Sequence, residues 1–259
     1  DLIPMLFSAL KSRRYRRYWF GSMGTVGASQ LMLMAQGWLI FELSGSPMDL
    51  GVLGAAVSGP AIIVLLFGGV LADRFDRRVL LMTTSLITAV LLLVQAFLDY
   101  SGVVEVWHVL VLGCVIGIVT GFEWPVRQAL FAKLITPDQM MSAVSLNSIL
   151  WQGSRMILPA LAGVLIAAAG TSVVFALGAL GFVGMFFTLV GMQVERQAAA
   201  TGGTGQQFAE GIRFIFTNRT FLVLIPLTWV WMFFGFSFNQ LMPVFANSLG
   251  TQEIGFGAL

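Results

Sequence analysis

The residues equipped for chemistry in this sequence are mostly arginines, carboxylates and side-chain amides set among apolar runs. Three groups stand out. Asp73, Arg74, Asp76, Arg77 and Arg78 crowd one short stretch, where both signs can form switchable ion pairs. Glu123 and Arg127 flank Pro125; the carboxylate is either solvated or paired with nearby arginines. Asn147, Trp151 and Arg155 recur at four-residue spacing and share one helix face, with Ser148 and Gln152 beside them. A guanidinium in a membrane helix costs roughly 2.5–3.5 kcal/mol on insertion scales. Such a residue faces a water-filled cavity or a partner. Arg155 is therefore a candidate for binding an anionic or polyhydroxylated substrate, with a structural tie between helices as the alternative. Gln30, Gln36, Asn239 and Gln240 are further polar residues in apolar surroundings and complete the cavity candidates.

Enzyme chemistry finds no support. His108 is the only histidine, so no His-paired metal site forms, and no cofactor is expected. No Gly-x-Ser-x-Gly and no paired intramembrane aspartates occur. Cys114 is the only cysteine and lies in an apolar run, which suits packing.

The elements that position these groups are membrane helices. The chain is 58% hydrophobic and 10% charged, with a mean hydropathy of +0.89; soluble domains run near a quarter charged. Apolar runs long enough to cross a bilayer are predicted at 18–41, 50–72, 79–98, 106–124, 142–169, 172–194 and 220–245. Glycine strips at Gly21, Gly24 and Gly27, at Gly113, Gly117 and Gly121, and at Gly178, Gly181 and Gly184 predict close helix packing. Pro125 is expected to kink or end the fourth helix near the surface, and Asp138 to cap the fifth. Phe233, Phe234, Phe236 and Phe238 cluster with Trp229 and Trp231, a pattern that reads first as packing and second as an apolar pocket.

Charge placement gives sidedness. Apart from Arg155, every basic residue falls on one predicted face: Lys11 to Arg17, Arg74 to Arg78, Arg127 and Lys133, and Arg196 to Arg219. The opposite turns carry Glu42, Asp49, Asp99, Glu105 and Glu253. The positive-inside rule makes the basic face cytoplasmic. The net charge of +2 is thus a topology signal and not a sign of nucleic-acid binding. Residues 1–17 are expected to lie at the interface, with the basic run suiting anionic lipid. Residues 18–194 form a six-helix half, 195–219 a cytoplasmic linker with an amphipathic helix, and 220–259 the start of a second half.

The stretch Gly69, Asp73, Arg74, Arg77, Arg78 resembles the loop between helices 2 and 3 of the major facilitator superfamily, G-x-x-x-D-R-x-G-R-R, with Asp76 where the family usually has Gly. Pro159 and Gly163 match the end of the superfamily's fifth-helix antiporter motif, G-x-x-x-G-P-x-x-G-G, while Leu158 and Ala162 replace two of its glycines. Within the superfamily the chain is most similar to the bacterial exporters of enterobactin and macrolides. The resemblance implies an all-α polytopic bundle with about seven of an expected twelve helices present, the remaining second half being a partner in the same protein. A shift of 204 positions agrees: Gln36 meets Gln240, Phe41 meets Phe245 and Gly51 meets Gly255.

By the same resemblance, Gly69, Asp73, Arg74, Arg77 and Arg78, with Glu123 and Arg127 nearby, form a cytoplasmic latch. Asp73 would meet a helix terminus of the second half. The implied function is secondary active export of a siderophore or drug-like molecule, driven by protons, from a bacterial plasma membrane. Import, or a scaffold without transport, are the alternatives. No coupling carboxylate is evident at mid-depth.

Overall fold

The computed structural model describes residues 7–74, 76–192, 213–214 and 217–236, with the side chains of 66–74, 219 and 235–236 left aside. The helices are α1 (Arg13–Ser44), α2 (Pro47–Arg74), α3 (Arg77–Tyr100), α4 (Val106–Leu134), α5 (Met140–Val190) and α6 (Arg219–Phe236), and no strand occurs among the described residues.

Local chemistry sets the ends. The Ser12 hydroxyl accepts from the Tyr15 N–H at 3.4 Å and starts α1. Gly45, at φ 64°, stops it, its N–H donating to the Phe41 carbonyl. Asp76 caps α3, its carboxylate accepting from the N–H groups of Arg78 (2.9 Å) and Val79 (3.4 Å). Its backbone is extended, φ −62° and ψ 114°, so the position does not require the glycine usual in the resembling loop. The basic run Arg13–Arg17 belongs to α1 itself, so no element boundary falls at residue 17.

Among the described residues, four stretches are long and apolar enough to cross a membrane: Pro47–Leu65, Arg77–Tyr100, Val106–Leu134 and Pro137–Val190. The last is double. Gly170 sits at φ 82° and ψ 169°, a region open essentially to glycine alone, and divides α5 into arms 140–169 and 171–190. The predicted turn at Gly170 and Thr171 is thus a single backbone break. α1 is outside that set because its polar residues are buried in the bundle: Ser22, Thr25, Gln30 and Gln36 lower its hydropathy and face protein. Seven crossings were predicted: α1, α2, α3, α4 and the two arms of α5 correspond to the first six, and α6 covers part of the seventh, the rest of which lies outside the described residues. α6 displays Trp229, Trp231, Phe233 and Phe234 on its exposed surface.

Two corrections follow from packing. Pro125 neither ends nor visibly divides α4, which continues to Leu134. Val126, Leu130 and Leu134 are buried at four-residue spacing and hold the last turns against the bundle. Asp138 makes no cap; it lies inside the 3-10 turn Pro137–Gln139, and no side chain caps α5.

At the closest approaches glycine meets the backbone of a neighbouring helix, while Gly21, Gly27, Gly113 and Gly178 meet side chains first. A Cβ on Gly117 would stand 2.1 Å from the Val57 carbonyl oxygen, and one on Gly121 2.7 Å from that of Ala61, which ties α2 to α4. Gly24 and Gly181 face each other across α1 and the second arm of α5. Gly184 has open space before it and takes no part.

Two apolar cores result. One, at the basic end, gathers Tyr15, Tyr18, Leu81, Val126, Leu130, Ala143 and Leu189. The other gathers Met32, Leu39, Leu92, Ile116, Val174 and Phe182. Between them, in chain order along α1, α3 and α4, lie the buried polar groups Ser22 and Thr25, Ser85 and Thr88, and Glu123, with Arg127 one turn further on at the edge of the basic-end core. This polar waist holds the candidate site.

Candidate functional site

Arg127 is the centre of the site. One turn separates it from Glu123 on α4, and the two side chains form a buried ion pair. The guanidinium also donates to α1, from Nη1 to Ser22 Oγ at 3.3 Å and from Nη2 to Thr25 Oγ1 at 3.1 Å. From the same helix the Tyr18 hydroxyl donates to the Arg127 carbonyl at 3.4 Å. Every named acceptor around the guanidinium is an oxygen, as a buried cation requires. The result is a charge-neutral tie between α1 and α4.

A cleft of about 90 Å³ opens beside it, lined by Thr25, Val26 and Ser29 of α1, Thr120, Glu123, Trp124 and Arg127 of α4, and Trp151 of α5. Trp124 and Trp151 meet edge to face at 5.5 Å. The space admits a few water molecules. At 1.5 Å per residue, Glu123 stands about 16 Å along the axis from Leu134, well inside the helix. Its predicted place near the surface rested on ending α4 at Pro125.

The other predicted residues distribute as follows. Gln36 is buried and donates to Gln95 Oε1 at 3.0 Å, joining α1 to α3. Gln30 is buried in α1. Asn147 is half-buried, whereas Gln152 and Arg155 are exposed on the first arm of α5. Pro159 lies within that arm and Gly163 is buried. Of the loop residues, Arg77 donates to the Ala129 carbonyl at 3.5 Å. Arg78 donates to the carbonyls of Leu189 (2.7 Å) and Val190 (2.8 Å), closing the C-terminal end of α5. The backbone of Gly69, Asp73 and Arg74 belongs to α2, while their side chains, like Asn239 and Gln240, lie outside the described residues.

The structure thus joins Glu123 and Arg127 to each other and to Trp151, and sets Gln36 apart beside the second core. Sequence reasoning missed Ser22, Thr25, Tyr18 and Gln95. The signal for the first three was present: residues 18, 22 and 25 share a face of α1 at helical spacing. Among the described residues no His, Cys, Asp and Glu cluster suits a metal.

The model of the transmembrane secretion effector family matches residues 5–259. Macrolide efflux protein A of Streptococcus pyogenes is 25% identical over 241 residues, covering 89% of this chain and 58% of its own length. An uncharacterized MFS-type transporter of Bacillus subtilis, YfiS, is 29% identical over 167 residues, covering 61% of this chain and 39% of its own. The staphyloferrin A transporter of Staphylococcus aureus is 27% identical over 135 residues, covering 50% and 33%. The chain therefore spans less than two thirds of the length of the curated relatives it matches. With long apolar helices packed on glycine, a charged waist and a family match over nearly its whole length, this multi-pass membrane chain belongs to the transmembrane secretion effector family of the major facilitator superfamily.

Proposed function

We propose that the full-length protein is a proton-driven exporter of a small molecule, working by alternating access in a bacterial plasma membrane with its N-terminus cytoplasmic. The observation that carries this reading is the buried Glu123–Arg127 pair, bonded across α1 and α4 beside a polar cleft. A packed scaffold gains little from such a pair, because desolvating two charges offsets most of their attraction. A transporter gains a bistable contact. With the pair closed, both charges are met. When α1 and α4 part, the guanidinium loses Ser22 and Thr25, the pair is loosened, and binding a proton relieves Glu123 of the cost of an unmet charge inside the bundle. Substrate binding near the midplane between two halves supplies the force that parts them.

In this reading Arg155 and Gln152, exposed mid-arm, face the substrate path, with Asn147, Gln30, Gln36, Asn239 and Gln240 as further candidates. Asp73 and the loop arginines latch the cytoplasmic side. The relatives' names offer macrolides and staphyloferrin A as substrates. A guanidinium at 155 favours the anionic or polyhydroxylated class over a cationic macrolide.

The test is efflux from cells lacking their own exporters, with and without a protonophore, for an anionic siderophore and for a macrolide. Gradient-dependent efflux that Glu123→Gln and Asp73→Asn abolish is the expected result. Efflux indifferent to the protonophore removes proton coupling. Siderophore efflux unchanged in Arg155→Ala removes the anionic assignment. No efflux of either compound, from protein shown to reach the membrane, removes both substrates.

A further inference from the structure

A second cavity, of about 330 Å³, opens at the basic end of the bundle. It is lined by Arg13, Arg14 and Arg17 of α1 and by Gly191 and Met192 just past α5. Three arginines, one glycine and one methionine line it, the wall being largely apolar, and no acidic residue is among them. The first turn of α1 also carries no acidic side chain, so its partial positive charge adds to the three arginines.

The cavity is built by the fold. Arg17 Nη1 donates to the Gly191 carbonyl at 3.1 Å and fixes one wall against the other. Arg78 already covers the carbonyls of Leu189 and Val190. The negative end of α5 is thereby met, and it leaves the excess positive charge of the cavity uncancelled. The cavity lies where α1 begins and α5 ends. On α1 the next residues outward, Phe20 and Met23, are exposed, as are Phe187 and Val190 at the end of α5. A charged head with apolar chains matches both surfaces, which a free anion does not.

We propose that this cavity binds a phosphate group, that of an anionic lipid headgroup, with the acyl chains lying along the exposed apolar flanks of α1 and α5. The headgroup phosphate accepts from Arg13 and Arg14 while Arg17 holds the α1 and α5 ends together. Bound lipid would tie the start of α1 to the end of α5.

The experiment uses purified, delipidated full-length protein in detergent. Thermal stability is followed while phosphatidylglycerol, phosphatidylcholine or inorganic phosphate is added. The variants are Arg13→Gln/Arg14→Gln and, as a control that removes the same charge outside the cavity, Lys11→Gln/Arg16→Gln. Phosphatidylglycerol should raise the midpoint at concentrations where phosphatidylcholine does not. Each arginine removed from the cavity should weaken that binding about fivefold, so the double variant requires roughly 25-fold more lipid. The control should shift it by less than about fivefold. Where the double variant does not fold, Arg14→Gln alone carries the test, with lipid adducts counted by native mass spectrometry. Equal loss in the control, or equal stabilisation by phosphatidylcholine, overturns the site. Protection by inorganic phosphate equal to that by phosphatidylglycerol overturns the lipid and leaves a phosphate site.

Discussion

Arg127 shows how a single residue can demand a structure around it. A buried guanidinium needs a counter-charge and further acceptors, and here Glu123, Ser22 and Thr25 supply them from two helices. Removing one member of such a pair costs about 3–5 kcal/mol, because the other charge stays buried. Glu123→Gln and Arg127→Gln should each lower the unfolding temperature in detergent, and Glu123→Gln/Arg127→Met should recover part of the loss. Single variants that melt with the wild type would show that the pair contributes nothing to stability. Asp76 offers a milder case. Asp76→Ala removes the α3 cap and should destabilise by about 0.5–2 kcal/mol, whereas Asp76→Asn, which caps equally well, should be near neutral. Equal melting of the two variants would mean that the cap does not matter.

At the scale of the element, glycine decides which helices touch. Not every glycine in a strip is used, and sequence spacing could not say which. A side chain at Gly117 must displace the Val57 carbonyl, which belongs to backbone and cannot yield. Gly117→Val should therefore separate α2 from α4 and lose the monodisperse folded peak in size-exclusion chromatography. Gly184→Ala faces open space and should leave that peak intact, with a small gain in helix propensity. The reverse pattern would mean that α2 and α4 do not pack as described. The α4 end carries a related lesson. Pro125 removes one N–H, yet the buried stripe Val126, Leu130 and Leu134 outweighs that loss and continues the helix. Glu123 is consequently an interior residue, and the site moves inward with it.

For the whole molecule, the claim most open to direct measurement is sidedness. In a Cys114→Ser background, Ser101→Cys lies in the exposed turn after α3 and Lys133→Cys on the exposed end of α4. A membrane-impermeant thiol reagent added to intact cells should label position 101 and not 133. Labelling of 133 alone would invert the topology and place the basic cavity on the outer leaflet. The family match and the long apolar helices agree on what kind of molecule this is.

The sequence by itself determined the membrane class and the positions of most of the long helices, because these follow from apolar run length, which is local and additive. It also carried the family through Gly69, Asp73, Arg74, Arg77 and Arg78. Tertiary structure alone decided that Glu123 and Arg127 meet Ser22 and Thr25, that Gln36 finds Gln95, and that Arg13, Arg14 and Arg17 enclose a cavity with the end of α5. Each of these joins residues far apart in the chain through helix rotation and close approach. Hydropathy averages over a helix and does not report which of its faces meets which neighbour, so such pairings become visible only once the helices are packed.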